Sequence, residues 1–244
     1  MKADPAVQRG LLDLAEADAE LTRIDHRRRT APELAEITDA ERAVKARRDA
    51  RVAVQTQLDD LDREVARQEK EIDAVRARED RDRKLLDSGA GARQVADLEH
   101  ELASLVKRKA SLEDDLLELM ERREAVEADS AHAAVELDKA EAALADVKRR
   151  HEENLADLDT QQSRREAERA DLVKRFPEPL LALYERKRKS KGIGAALLRA
   201  RRCGACRLEL DRRVMSTIKD TAPDEVVECE ECGAILVRTP ESGL

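Results

Sequence analysis

The chain has 244 residues, 47 of them basic and 55 acidic, for a formal net charge of −8, and charged residues make up 42% of it. Aromatic residues make up only 1%, so the thick core of an ordinary globular enzyme is excluded, whereas a narrow helix–helix seam needs far less large apolar surface. No run of about 18 apolar residues occurs, so no membrane-spanning helix is expected, and the expected location is the cytoplasm.

Residues 5–29 read as a first helix, with Val7, Leu11, Leu14, Leu21 and Ile24 on one face. This helix is expected to pack against residues 150–175. A break at 30–32 follows, because Pro32 cannot join an unbroken helical ladder. Beyond it Ile37, Glu41, Val44, Arg48 and Arg51 recur at steps of four and three. After one slip near 51–54 the stripe continues through Val54, Leu58, Leu61, Val65, Gln68, Ile72, Val75, Glu79, Asp82 and Leu86. A second stripe runs from Val95 through Leu98, Leu102, Leu105, Lys109, Leu112, Leu116, Leu119, Arg123 and Val126, then more weakly to Val147.

Between the stripes, residues 87–92 hold two glycines, Gly89 and Gly91, and the chain is expected to reverse there. The result is an antiparallel coiled-coil hairpin in which residue i faces roughly 180 − i, so that Leu61 meets Leu116 and Leu119. Charged residues at seam positions (Glu41, Arg48, Glu79, Lys109, Arg123) are expected to be long side chains reaching past a thin seam to water. The four histidines have no i, i+4 partner and are assigned no chemistry.

Pro177 and Pro179 end the second arm. Leu180–Lys187 reads as a short helix carrying Tyr184, which is expected to form a small core with Phe176. Strands are expected at Ala195–Ala200 and Ile235–Val237, with a single helical turn at Arg213–Lys219. The chain thus divides into a hairpin (1–178), a basic neck (179–194) and a C-terminal module (195–244).

That module holds all four cysteines as two C-x-x-C pairs, Cys203/Cys206 and Cys229/Cys232, with 22 residues between the pairs. Such spacing turns four thiolates toward one point, and Zn²⁺ is the ion that favours a tetrahedral sulfur shell. Two disulfides fit poorly, since nothing at the N-terminus looks like a secretion signal, and a redox dithiol would need a βαβ context that is not seen. One structural Zn²⁺ is therefore expected. Four protein sulfurs leave it no open position for a catalytic water.

Residues 181–244 carry 13 basic and 10 acidic side chains. Eight of the basic ones form one run: Arg186, Lys187, Arg188, Lys189, Lys191, Arg199, Arg201 and Arg202. They could neutralise the phosphates of RNA or DNA. Equally, they could balance the acidic hairpin and the acids around the second cysteine pair.

The hairpin, the glycine turn, the stretch from Leu112 to Glu121, the Pro179–Arg186 segment and the four-cysteine ribbon together resemble the bacterial C4-type zinc-ribbon, coiled-coil hairpin proteins. The bias of Arg over Lys points to an actinobacterial member. The glycine turn departs from the family pattern in being poorer in Asn, Pro and Lys. The resemblance implies an adaptor or chaperone without catalysis, of the kind linked to flagellar and type III secretion systems. It also implies as partners the alternative sigma factor of the nitrogen-regulation class, secretion components or a flagellin messenger RNA.

The residues themselves lead to a non-enzymatic adaptor with unidentified protein partners, and nucleic-acid binding through the neck as the alternative. No Ser/His/Asp set, phosphate-binding loop or open metal site appears. A monomer and a dimer are equally compatible with the seam.

Overall fold

A computed structural model describes residues 1–89 and 91–244, side chain of Ala92 excepted. Four helices come first in chain order: α1 (Pro5–Arg29), α2 (Glu33–Asp87), α3 (Ala92–Val173) and α4 (Glu178–Lys191). Short elements follow: β1 (Ala195–Arg199), β2 (Arg202–Cys203), α5 (Arg212–Asp220), β3 (Val227–Glu228) and β4 (Ile235–Val237). The chain forms two units, residues 33–149 on one hand and Met1–Pro32 with Arg150–Leu244 on the other, and α3 contributes to both. The neck at 179–194 and the module at 195–244 therefore share a unit with α1.

Residues 33–149 form the helical hairpin. The turn expected at 87–92 lies between α2 and α3, and Ala90 within it is outside the described residues. Every second-stripe position is buried or partly buried, with Leu105 and Leu137 the most enclosed. On the first stripe Val44, Ile72 and Val75 are buried, but Glu41, Arg48 and Arg51 are exposed, so the seam is open along that stretch.

The stagger scatters about the 180 − i rule: Arg78 meets Glu101 and Gln68 meets Leu112, within one residue of it, while other pairs lie several residues beyond it. Asp62 meets Arg123, Arg48 meets Glu141 and Glu41 meets Lys148, where that rule gives 118, 132 and 139. Leu61 borders one hollow of the seam together with Arg122, Ala125 and Val126. A turn dictates that the chain reverses, but the interleaving of seam side chains sets how far one arm slides along the other.

One expectation about the charged seam is corrected. Glu79 does not reach water; its side chain is 3% exposed and takes hydrogen bonds from Lys109 Nζ (2.9 Å) on the facing arm and from Arg83 (2.5 Å). Lys109 and Arg123 are likewise paired across the seam, with Glu79 and Asp62. The cross-seam pair favours one register, since sliding the arms would take Lys109 from the buried carboxylate and leave it only Arg83 of its own helix.

The Lys109 hydrogen bond, opposed by burial and helped by Arg83, holds the Glu79 carboxyl below its ordinary value. Its stabilising effect is thus complete above the ordinary carboxylate range, near about 4.3, and disappears as pH falls through the lower folded value. Urea midpoints of the hairpin should decline on acidification below about pH 5, and Glu79→Gln should flatten that decline. An unchanged slope in the variant would remove Glu79 from the account.

In the other unit, α1 starts at an Asp4 cap, which accepts from Ala6 N at 2.7 Å, and ends in His26, Arg27, Arg28 and Arg29, charges that suit a helix C-terminus. As expected, it runs beside residues 150–175, with Arg28 paired to Asp159 and Arg169 to Asp18. The sheet order is β2-β1-β4-β3, and β1 and β4 are parallel. Side-chain alternation gives the sheet two buried faces. Ala195, Ile235 and Val237 join Leu11, Leu14, Leu180, Leu183 and Tyr184 under α1 and α4. Leu198 and Leu236 join Met215, Ile218, Cys203 and Cys229 on the side of α5.

Two elements are longer than expected. The helix carrying Tyr184 runs from Glu178 to Lys191, and the single turn at Arg213–Lys219 is α5, nine residues capped by Asp211. Phe176 is partly buried against the cluster that holds Tyr184.

Candidate metal centre

Each C-x-x-C pair is shaped by the backbone around it. In the first, Arg207 N donates to Cys203 O (2.8 Å) and Cys203 N to Leu208 O (3.1 Å). In the second, Gly233 N donates to Cys229 O and Cys229 N to Ala234 O, both at 2.8 Å. Gly233 has φ +73, a conformation that favours glycine, and Gly204 needs to be small because a Cβ there would sit 2.8 Å from Leu197 O. β1 and β4, hydrogen-bonded side by side, bring the two turns together.

The four Sγ atoms lie within 4.8 Å of one another, with Cys203–Cys232 at 3.7 Å and Cys206–Cys229 at 4.0 Å. A disulfide needs about 2.05 Å, so these separations are not disulfides. Tetrahedral sulfurs at about 2.3 Å from zinc would be about 3.8 Å apart, which these separations match. The donor set therefore fits one structural Zn²⁺ held by Cys203, Cys206, Cys229 and Cys232.

The surroundings disfavour an uncompensated thiolate at the two buried cysteines. Burial pushes the Cys203 thiol up to about 12 and also raises Cys229, because a lone thiolate there would be poorly solvated. A hydrogen bond from the Leu208 backbone lowers Cys206. Backbone N–H groups of Ala205, Cys206, Glu231 and Cys232 also favour the thiolates of the two buried cysteines. Bound Zn²⁺ supplies the positive charge that keeps all four sulfurs deprotonated.

The eight basic residues from Arg186 to Arg202 do not form one free surface. Lys187 pairs with Glu228, Arg188 with Asp18 and Glu185, Arg199 with Glu241, and Arg201 and Arg202 with Glu209. Among the described residues, Arg186, Lys189 and Lys191 form no ion pair, and all three are exposed.

Several residues that support the centre escaped the sequence reading. Asp18, 5% exposed, accepts hydrogen bonds from Tyr184 OH (2.6 Å) and Arg169 Nε (2.6 Å) and pairs with Arg188 at 3.1 Å. Glu185 joins Arg169 and Arg188, so one network ties α1, α3 and α4. Burial, then the bond to Asp18, raises the Tyr184 phenol far above its ordinary value. Arg238 donates to five backbone carbonyls, those of Ile218, Thr221, Ala222, Pro223 and Glu225, and so holds the segment between α5 and β3. Ala3 N donates to Asp224 O and Val226 N to Met1 O, which straps the first residues to the same segment. The one available signal was Asp18 itself, a carboxylate on the Leu11–Leu14 stripe.

A family model described as a CT398-like coiled coil hairpin domain matches residues 14–192, and one described as a C4-type zinc ribbon domain matches 202–236. An uncharacterized protein of Mycobacterium tuberculosis is 47% identical over 239 residues, 98% of each chain. An uncharacterized protein of Mycobacterium leprae is 37% identical over 91% of this chain and 96% of its own. A solved structure from Mycobacterium smegmatis, 42% identical, superposes with a TM-score of 0.89 over 98% of this chain and 100% of that one. CT398 from Chlamydia trachomatis, at 18% identity, shares the fold with a TM-score of 0.66 over 95% of this chain and 97% of its own. Among the described residues no helix is long and apolar enough to cross a membrane.

Proposed function

The chain belongs to the CT398-like coiled-coil hairpin family, with a C4-type zinc ribbon, and from that premise we propose that it is a non-enzymatic adaptor that captures protein partners. The observation that carries this reading is a metal shell filled by protein sulfurs in one unit and, in the other, a hairpin that leaves large aliphatic side chains in water. Val52 and Leu117 are each 61% exposed, and Val106, Met120 and Val135 are also exposed. Leu117 and Met120, three residues apart on α3, share one helix face and are the pair on which a partner contact would centre. The sigma-factor and secretion partners implied by the resemblance are named candidates for capture.

The test is affinity capture with zinc-loaded, tagged protein. A partner should be retained reproducibly by the native chain, lost with Leu117→Glu/Met120→Glu and lost with Cys203→Ser. If no protein is retained above the tag-only control, the adaptor reading fails.

Nucleic-acid binding is the second reading, favoured by Arg186, Lys189 and Lys191. Charge reversal at these three is the clean variant, because Lys187 and Arg188 are engaged by Glu228 and Asp18. Anisotropy titrations with RNA and DNA oligomers should then show salt-dependent binding that the triple Glu variant abolishes. No binding at low salt reduces the three cations to charge balance.

A further inference from the structure

We propose that the groove between α1 and the Gly192–Leu197 segment docks an acidic, aliphatic-tipped segment of a protein partner. This deepens the adaptor reading and rests on it. The groove exists because its walls are built from small residues. Ala15 and Ala19 on α1 face Ala195 and Ala196 of β1 and Ala205 of the first cysteine turn, and together they border a hollow of about 480 Å³. Ile193, 41% exposed, stands at its lip. A hollow of that size with a carbon-rich floor suits one or two aliphatic side chains.

The flank of the groove is cationic. A second hollow shares Thr22 and Gly192 with the first and is walled by Arg186 and Lys189. A third shares Ile193 and Ala205 and sets Lys191 against Cys206 and Cys232, whose zinc–thiolate charge is negative, so the cationic edge of the groove is the Arg186 and Lys189 side. Arg186, Lys189 and Lys191 are the three neck cations that form no ion pair among the described residues. The carboxylate nearest the floor, Asp18, is already satisfied by Tyr184, Arg169 and Arg188, and so adds no free negative charge. Arg23 on the opposite lip is held by Glu20, and Glu185 in the second hollow by Arg169 and Arg188, which leaves Glu16 as the acid to offset Arg186 and Lys189.

Charge complementarity therefore selects an acidic occupant, and the floor selects one with aliphatic side chains. Nucleic acid is the less suited ligand, since no aromatic side chain other than the buried Tyr184 borders the groove to stack a base.

The experiment is a fluorescence-anisotropy titration of the full-length, zinc-loaded chain. The probe is a short labelled peptide of Asp and Glu carrying two leucines, with a control peptide in which Ser replaces both leucines and an RNA oligomer as competitor. The leucine peptide should bind saturably, and the control at least about tenfold more weakly. Arg186→Glu/Lys189→Glu/Lys191→Glu and, separately, Ala19→Leu should each weaken binding about tenfold while zinc content and helicity stay native. Ile193→Ser, on an exposed residue, should weaken it as well and guards against a folding defect in Ala19→Leu.

Absence of saturable peptide binding overturns the proposal, as does binding that ignores both Ala19→Leu and Ile193→Ser. RNA bound more tightly than the peptide, and sensitive to the triple variant, overturns it in favour of a nucleic-acid site. If the groove variants leave partner capture by the tagged protein intact, the groove assignment fails while the adaptor reading stands. If capture itself is absent, the adaptor reading fails with it.

Discussion

Stripping the metal with a chelator, or replacing Cys203 with Ser, should unfold the ribbon and loosen the helices that share its core, while residues 33–149 stay helical. Structural zinc in zinc-finger peptides carries about 10–16 kcal/mol of apparent binding free energy that is coupled to folding, and the same coupling applies to residues 195–244. The loss should spread further, because Ala195, Ile235 and Val237 pack with Leu11, Leu14, Leu180 and Tyr184. α1, α4 and the last turns of α3 therefore depend on the metal, whereas α2 and the facing part of α3 are held by their own seam. Circular dichroism should show a partial loss of helicity that zinc restores, and amide exchange should map the loss to residues 1–32 and 150–244. Collapse of protection along 33–149 after chelation would refute this division.

Asp18→Ala should be the most damaging single substitution outside the four cysteines. The carboxylate lies at the centre of a network in which Arg169, Arg188 and Tyr184 all converge on it. Removing one partner of a buried charge pair leaves the others uncompensated and costs about 3–5 kcal/mol. Tyr184→Phe removes one hydrogen bond from the same carboxylate and should cost less, about 1–3 kcal/mol. Urea denaturation of the zinc-loaded protein at constant zinc measures both. Equal losses for the two variants would mean that the Tyr184 hydrogen bond, and not the arginine pairs, carries what Asp18 contributes.

The hairpin was legible because its signal is periodic and local. Leu98, Leu102 and Leu105 need only their own spacing to define a face, and a glycine-rich break at 87–92 sufficed to separate α2 from α3. The four cysteines were legible for a related reason, since two residues between thiols confine the sulfurs whatever surrounds them. The basic run left two readings open, phosphate binding and charge balance, because the sequence does not say which acids its cations meet. In sequence it is continuous, but its cations are dispersed onto acids as remote as Glu228 and Glu241. Glu79 and Asp18 were opaque in the same way, because the burial that gives them their roles comes from residues on other helices.

By itself, the sequence determined the elements and the metal ligands, which depend on helical period and on covalent spacing over a few residues. Tertiary structure alone decided the stagger of the arms, the parallel pairing of β1 with β4 and the union of α1 with the ribbon. It also decided which three cations stay unpaired. These features arise from contacts between residues far apart in the chain, where side-chain shape and desolvation, not local spacing, select the partner.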